Sequence, residues 1–316
     1  MFAPDGIGVG EARDFLAAHL GRDVGNVELV GAGAWSRCFG FRDTGRDLVI
    51  RFGNHVDDFE KDRRAARFAS PALPVPEVSE IGPALGGYFA ISTRAYGEPL
   101  ELLGAREWNA ALPALFAALD ALRCIDVSGT TGYGGWNAAQ GGARCATWRD
   151  FLLSVEADTP ARRTYGWRQR LAESPVGDTA FAIGMSKISE LADACPDERY
   201  VVHADLINRN VLVESSRITA VFDWGCSFYG DFLYDIAWLE FWAPWHPSIA
   251  ATDIRGEARR HYAAIGLDVA DLDTRLRCYL IHIGLDHQAY CAFTGQLDDL
   301  ATITERTLAY VEGNPS

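Results

Sequence analysis

The chain has 316 residues, of which 48% are hydrophobic and 23% charged, and its formal net charge is −14. The length suggests two domains or lobes around a sizeable core, and the acidic balance excludes a nucleic-acid binder, which needs a basic face. No apolar run reaches the roughly 18 residues of a membrane span, and the N-terminus lacks the basic and apolar regions of a signal peptide.

In chain order, residues 11–20 read as a helix, followed by strands near 27–30, 38–42 and 47–52. A charged helix over 57–69 stops at Pro71, Pro74 and Pro76. Strands near 78–81 and 88–93 complete a small β-rich unit. Gly97 and Pro99 then punctuate the chain, and amphipathic periodicity dominates near 107–123, 147–157, 179–194, 231–243, 253–265, 272–293 and 297–312. The glycine-rich stretch 126–146 has no clear period and reads as a loop facing the substrate. Pattern alone therefore predicts an α+β chain with a β-rich N-lobe, residues 1–95, and a mainly helical C-lobe, residues 96–316.

An island of strand lies inside the helical half. Residues 201–225 run Val-Val-His-Ala-Asp-Leu-Ile-Asn-Arg-Asn-Val-Leu-Val-Glu-Ser-Ser-Arg-Ile-Thr-Ala-Val-Phe-Asp-Trp-Gly. The β-branched segments 211–214 and 218–222 predict a hairpin. A turn at Ser216 and Arg217 would set Asn210 opposite Asp223; a three-residue turn would set it opposite Phe222. Opposed side chains lie about 5 Å apart, close enough for an amide oxygen and a carboxylate to share Mg²⁺, which prefers oxygen ligands and phosphates. Asp205 precedes Asn210 by five residues, in the loop leaving the strand at 201–202. A carboxylate there can accept or orient the proton of an attacking hydroxyl, while His203 braces the loop. The order His203, Asp205, Asn210, Asp223 resembles the catalytic loop and metal-binding acid of kinase-like phosphotransferases.

The N-terminal unit supplies a nucleotide side. Gly31-Ala32-Gly33-Ala34-Trp35-Ser36-Arg37 joins two strands, and small residues there let backbone amides approach phosphate. The segment resembles a degenerate kinase phosphate loop with Ser36 in place of the third glycine. Of 29 basic residues only Lys61 and Lys187 are lysine, so Arg51 stands where a kinase-like third strand carries its phosphate-binding lysine. Its acidic partner comes from the next helix, where Glu60 and Asp62 both qualify and the distance to Pro74 favours Asp62. Backbone groups at Thr93 and Ala95, after the last strand, are placed to meet a nucleobase, ATP or GTP alike.

The set Leu73-Pro74-Val75-Pro76-Glu77-Val78, His203-Ala204-Asp205, Asn210-Val211-Leu212 and Asp223-Trp224 resembles the aminoglycoside phosphotransferase family. The likeness runs from about residue 11 to 295. It implies a protein-kinase-like two-lobed fold, ATP (or GTP) and Mg²⁺, with Asp205 catalytic and Asn210 and Asp223 on the metal. The implied acceptor is a hydroxyl of a cationic antibiotic such as hygromycin B. Trp242 and Trp245 would line its site, or pack in the core. Asp231, Asp235 and Glu240 are acids of the same segment, some of which would bind its ammonium groups, while Asp231 would otherwise cap the helix that begins there. Leu206-Ile207-Asn208-Arg209 is bulkier and more basic than the family's small polar residues, which makes Arg209 a candidate for selecting the acceptor. Trp136 and Arg144 are further departures. Seven scattered cysteines without a Cys-x-x-Cys pair suit reduced thiols in the cytoplasm. A monomer without nucleic-acid or membrane partners is expected.

Overall fold

The computed structural model describes residues 6–33 and 35–313; Ala34, in the expected phosphate loop, lies outside them. The chain begins with α1 (Val9–Leu20), β1 (Gly25–Ala32), β2 (Ser36–Asp43), β3 (Arg46–Gly53), α2 (Val56–Ala65), β4 (Val78–Ala84) and β5 (Gly87–Thr93). The strands form one antiparallel sheet in the order β1-β2-β3-β5-β4. Strand alternation sends Phe39, Phe41, Ile50, Phe52, Phe89 and Ile91 to one face, where they pack with Ala12 and Leu16 of α1. The opposite face carries Cys38 and Arg51, which pair across β2 and β3.

Next come β6 (Glu98–Pro99), α3 (Ala105–Arg123), β7 (Tyr133–Trp136), β8 (Ala143–Cys145), α4 (Trp148–Leu153), α5 (Trp167–Glu173), α6 (Thr179–Leu191), β9 (Tyr200–Val202), β10 (Val211–Glu214), β11 (Arg217–Val221) and β12 (Phe228–Gly230). The helices α7 (Leu233–Trp242), α8 (Pro247–Ala250), α9 (Ile254–Ala264), α10 (Leu272–Thr294) and α11 (Leu297–Glu312) complete the chain. Two small sheets lie in this part, one ordered β11-β10-β6 and one β8-β7-β12-β9.

The compact units interleave in sequence. One holds the chain as far as Ala121 with Asn137–Gly141 and Ile207–Cys226; the other holds Leu122–Trp136, Gly142–Leu206 and the chain from Ser227. In the second unit α7 is buried over nearly its whole length and packs against α10. The stretch 126–146 is not the open loop expected: it carries β7 and β8. Trp136 is buried and stacks on Tyr229 of β12 at 6.0 Å, so it belongs to the core. Gly134 has φ 86, and a β-carbon there would enter the Phe151 ring, so glycine lets β7 lie flat on that aromatic layer. No helix among the described residues is long and apolar enough to cross a membrane.

Candidate active site

The β10–β11 hairpin sets the first part of the site. Its turn is Ser215-Ser216, with Glu214 opposite Arg217 and φ values of 50 and 63. Positive φ at both central residues is the two-residue hairpin geometry that matches strand twist. An irregularity between Leu212 and Val213 then shifts the register, so Val211 faces Val221 and the Phe222 N–H donates to the Asn210 carbonyl at 3.0 Å. Asn210 therefore stands opposite Phe222, not Asp223. A bulge in β11, where Thr219 is the extra residue between Ile218 and Ala220, produces this register rather than a longer turn. Asp223 follows with φ 62 and a side chain 44% exposed. Asn210 and Asp223 thus lie at neighbouring ends of paired strands. The described residues contain no group of three or more His, Cys, Asp or Glu able to hold a metal. Two hard oxygen donors suit a divalent ion that draws its other ligands from phosphate and water.

Arg51 of β3 forms an ion pair with Asp62 of α2, and its Nη1 lies 3.5 Å from Asp223 Oδ1. The Phe59 ring supports the guanidinium at 4.7 Å. Glu60, the alternative partner, instead bonds Arg63 one turn along the same helix. Asp62 also accepts the Trp224 N–H at 2.8 Å, so one carboxylate joins β3 to the turn after Asp223. Burial opposes the charge on Arg51, but Asp62 and Asp223 outweigh it and hold the guanidinium more firmly protonated. Burial pushes the Asp62 carboxyl up against the opposing pull of Arg51.

The Gly33 N–H donates to the Ser36 carbonyl at 2.9 Å. Thr93 ends β5; its N–H donates to the Glu77 carbonyl at 3.0 Å and its hydroxyl accepts the Glu77 N–H at 3.2 Å. Thr93 is thereby spent on its own strand edge as a donor. Thr93 and Ala95 line a cleft of about 620 Å³ with Pro74, Pro76 and Thr219.

The Asp205 loop lies in the second unit, whose boundary falls after Leu206. It leaves β9 through His203 and Ala204, whose N–H groups donate to Asp235 Oδ2 and Oδ1 at 3.0 and 2.8 Å. Ala204 has φ 60, a conformation that a non-glycine residue keeps only where its surroundings enforce it. The Asp205 N–H donates to His203 Nδ1 at 3.3 Å; His203 braces the loop as expected, with Asp205 half-buried beyond it. Asp235, on α7, is 2% exposed, and burial pushes its carboxyl up to about 6 although both amides favour the charged form. Asp235, read from the sequence with Glu240 as an acid for a substrate ammonium, is instead the buried anchor of this loop, and Glu240 pairs with Arg255.

The expected acceptor residues divide. Arg209 is exposed with φ 67, and its N–H donates to buried Glu101 at 2.6 Å. Asp231 is a correction: it is fully buried and cannot receive a substrate ammonium. Arg275 grips both its oxygens at 2.7 and 2.8 Å, Tyr279 bonds it as well, and Oδ1 also accepts the Leu233 N–H at 3.1 Å where α7 begins. Trp242 is half-buried against Phe241, Trp238 and His287, seven residues or about 10 Å along the helix from Asp235. Trp245 is 39% exposed, stacks on Phe241, and lines a pocket of about 420 Å³ with Pro244, Thr302, Glu305 and Arg306.

The profile of the phosphotransferase enzyme family matches residues 26–267 of this chain. The chain belongs to that family. As a phosphotransferase it is 36% identical over 293 residues to the Hygromycin-B 4-O-kinase of Escherichia coli, covering 91% of this chain and 81% of that protein. The crystal structure of aminoglycoside phosphotransferase APH(4)-Ia superposes with a TM-score of 0.84 at 32% identity, covering 98% of this chain and 100% of that one. A thermostable mutant of the same enzyme, solved as a ternary complex with AMP-PNP and hygromycin B, gives 0.83 at 33% identity, covering 96% and 98%. The kinase-like fold expected from the sequence is the fold of these relatives.

Proposed function

We propose that this phosphotransferase moves the γ-phosphate of ATP, or of GTP, to a hydroxyl of an aminoglycoside, hygromycin B or a related compound. The observation that carries the reading is Arg51, held by Asp62 and facing Asp223 at 3.5 Å: a fixed cation beside an exposed carboxylate, suited to a metal-bound polyphosphate. The identity to the hygromycin B kinase supports the choice of acceptor.

The division of labour runs by lobe, with nucleotide binding in 1–95 and catalysis and acceptor binding in 96–316. Ser36 lies along the phosphates, Arg51 holds them, and Ala95 with the end of β5 at Thr93 meets the base. Asn210 and Asp223 would hold Mg²⁺, which when bound neutralises charge on the phosphates. Asp205 accepts the acceptor hydroxyl's proton as that oxygen bonds to the γ-phosphorus and the bond to the bridging oxygen breaks, releasing the nucleoside diphosphate. Positioning and electrostatics supply most of the rate. Arg209, Trp242 and Trp245 contact the acceptor, with indole faces stacking on sugar rings. We place the enzyme in the cytoplasm as a monomer, without nucleic-acid or membrane partners.

The test is growth of an expressing strain across an aminoglycoside panel that includes hygromycin B, paired with a coupled assay of diphosphate release. Asp205→Ala is expected to fold normally and lose at least about a thousandfold in kcat; full activity would remove Asp205 from its role. The bulky, basic segment Leu206–Arg209 favours a second reading, in which the same chemistry serves another hydroxylated antibiotic or metabolite. Resistance to no aminoglycoside, with turnover of another alcohol, would select it.

A further inference from the structure

Nearly all basic residues of this chain are arginine, yet one of its two lysines is buried. Lys187 lies on the surface and pairs with Glu190 on its own helix. Lys61 is 9% exposed; it precedes Asp62 on α2, and its Nζ donates to the Gly225 carbonyl at 2.8 Å. A buried ammonium costs free energy unless acceptors surround it. In a chain that otherwise chooses arginine, lysine at 61 marks a place that fits a compact point charge and not a planar fork.

Contacts from α2 converge on the same short turn. Asp62 takes the Trp224 N–H at 2.8 Å, and Lys61 takes the Gly225 carbonyl. Asp58 lies so close that a β-carbon at Gly225 would come within 2.9 Å of its Oδ1, so glycine is what lets the helix approach. The turn opens with Asp223 in the left-handed region, where a non-glycine residue stays only under external constraint.

We propose that Lys61 is a positioning residue for Asp223: by fixing the Gly225 carbonyl it holds the turn that presents the Asp223 carboxylate to the nucleotide's divalent cation. This rests on the site reading given under Proposed function. Without the ammonium the carbonyl loses its donor, the turn relaxes out of the left-handed conformation, and Asp223 meets the ion less well. The sheet core around Phe39, Ile50 and Phe52 does not depend on the contact.

Lys61→Met keeps the aliphatic stem and removes the charge; Lys61→Arg keeps the charge in a different shape. Each is compared with wild type by calorimetric binding of a non-hydrolysable ATP analogue with and without Mg²⁺, and by phosphotransfer titrated with Mg²⁺. Lys61→Met is expected to bind the metal-free analogue as wild type does, lose about tenfold of the Mg²⁺-dependent gain in affinity, and need about tenfold more Mg²⁺ for activation. Its kcat at saturating Mg²⁺ returns close to wild type, Lys61→Arg falls between the two, and Lys187→Met matches wild type throughout. Unchanged metal dependence in Lys61→Met, or a lower kcat with unchanged metal dependence, overturns the proposal and leaves the site reading standing. Wild-type protein whose nucleotide affinity gains nothing from Mg²⁺ overturns both. Should Lys61→Met not fold, Lys61→Arg alone decides, and wild-type metal dependence there rejects the proposal.

Discussion

Asp62 and Glu60 lie two residues apart on one helix, yet the structure gives them different fates. Asp62 is buried between Arg51 and the Trp224 amide, while Glu60 meets Arg63 at the surface. Asp62→Ala removes the nearer of two carboxylates on a largely buried guanidinium and is expected to cost about 3 kcal/mol in urea unfolding, with a raised KM for ATP. Glu60→Ala should leave both near wild type, and the reverse order of effects would reject the pairing. Asp235 makes a prediction in pH. Burial raises its folded-state carboxyl from 3.8 to about 6, so the native state binds the proton more tightly than the unfolded chain. That contribution is fully present below 3.8 and is lost as pH rises through about 6. Asp235→Asn removes the titration. Wild-type stability relative to this variant should therefore fall across that window in denaturant titrations at fixed salt; a rising difference would contradict the burial argument. Asp231 shows how a residue's role escapes sequence reading, because its guanidinium partner Arg275 stands 44 positions away.

Among the elements, the β10–β11 hairpin was legible as two strands and its register was not. Ser215-Ser216 carries no turn signature, since serine at positive φ competes poorly with Asn-Gly. The extra residue of the β11 bulge is Thr219, whose hydroxyl donates to the Tyr96 carbonyl at 2.6 Å, a constraint from more than 100 residues earlier in the chain. Ser216→Gly relieves the left-handed penalty and is expected to stabilise by about 0.5 kcal/mol without touching activity. Loss of stability on urea unfolding would count against the observed turn. The elements that pattern missed were β6, β7, β8, β12, α5 and α8. Each has seven residues or fewer, and β12 is defined by pairing with β7 and β9, not by its own periodicity.

At the scale of the whole molecule, the net charge of −14 is a property of the field and not of the fold. If the acceptor is a polycation, long-range attraction aids encounter and salt screens it, with a Debye length near 8 Å at physiological ionic strength. The KM for hygromycin B should rise several-fold between about 20 and 300 mM salt while kcat holds. A salt-independent KM would leave the acidity as composition alone. The interleaved compact units could not be read from chain order, because the hairpin 207–226 joins a unit whose sheet was built more than 100 residues earlier.

The sequence by itself determined the family, the fold and the ordered polar set Asp205, Asn210 and Asp223, because residue types at short spacings and two hydrophobic periods are local information. It also marked Arg51 as the cation, since no lysine was available on β3. Only the tertiary structure decided that Asp62 holds Arg51, that Asp235 holds the Asp205 loop, that Asp231 is closed to any substrate, and that Asn210 faces Phe222. Each of these depends on burial or on a partner far along the chain. Burial sets whether a carboxylate is a ligand, an anchor or half of an ion pair, and no local pattern encodes it.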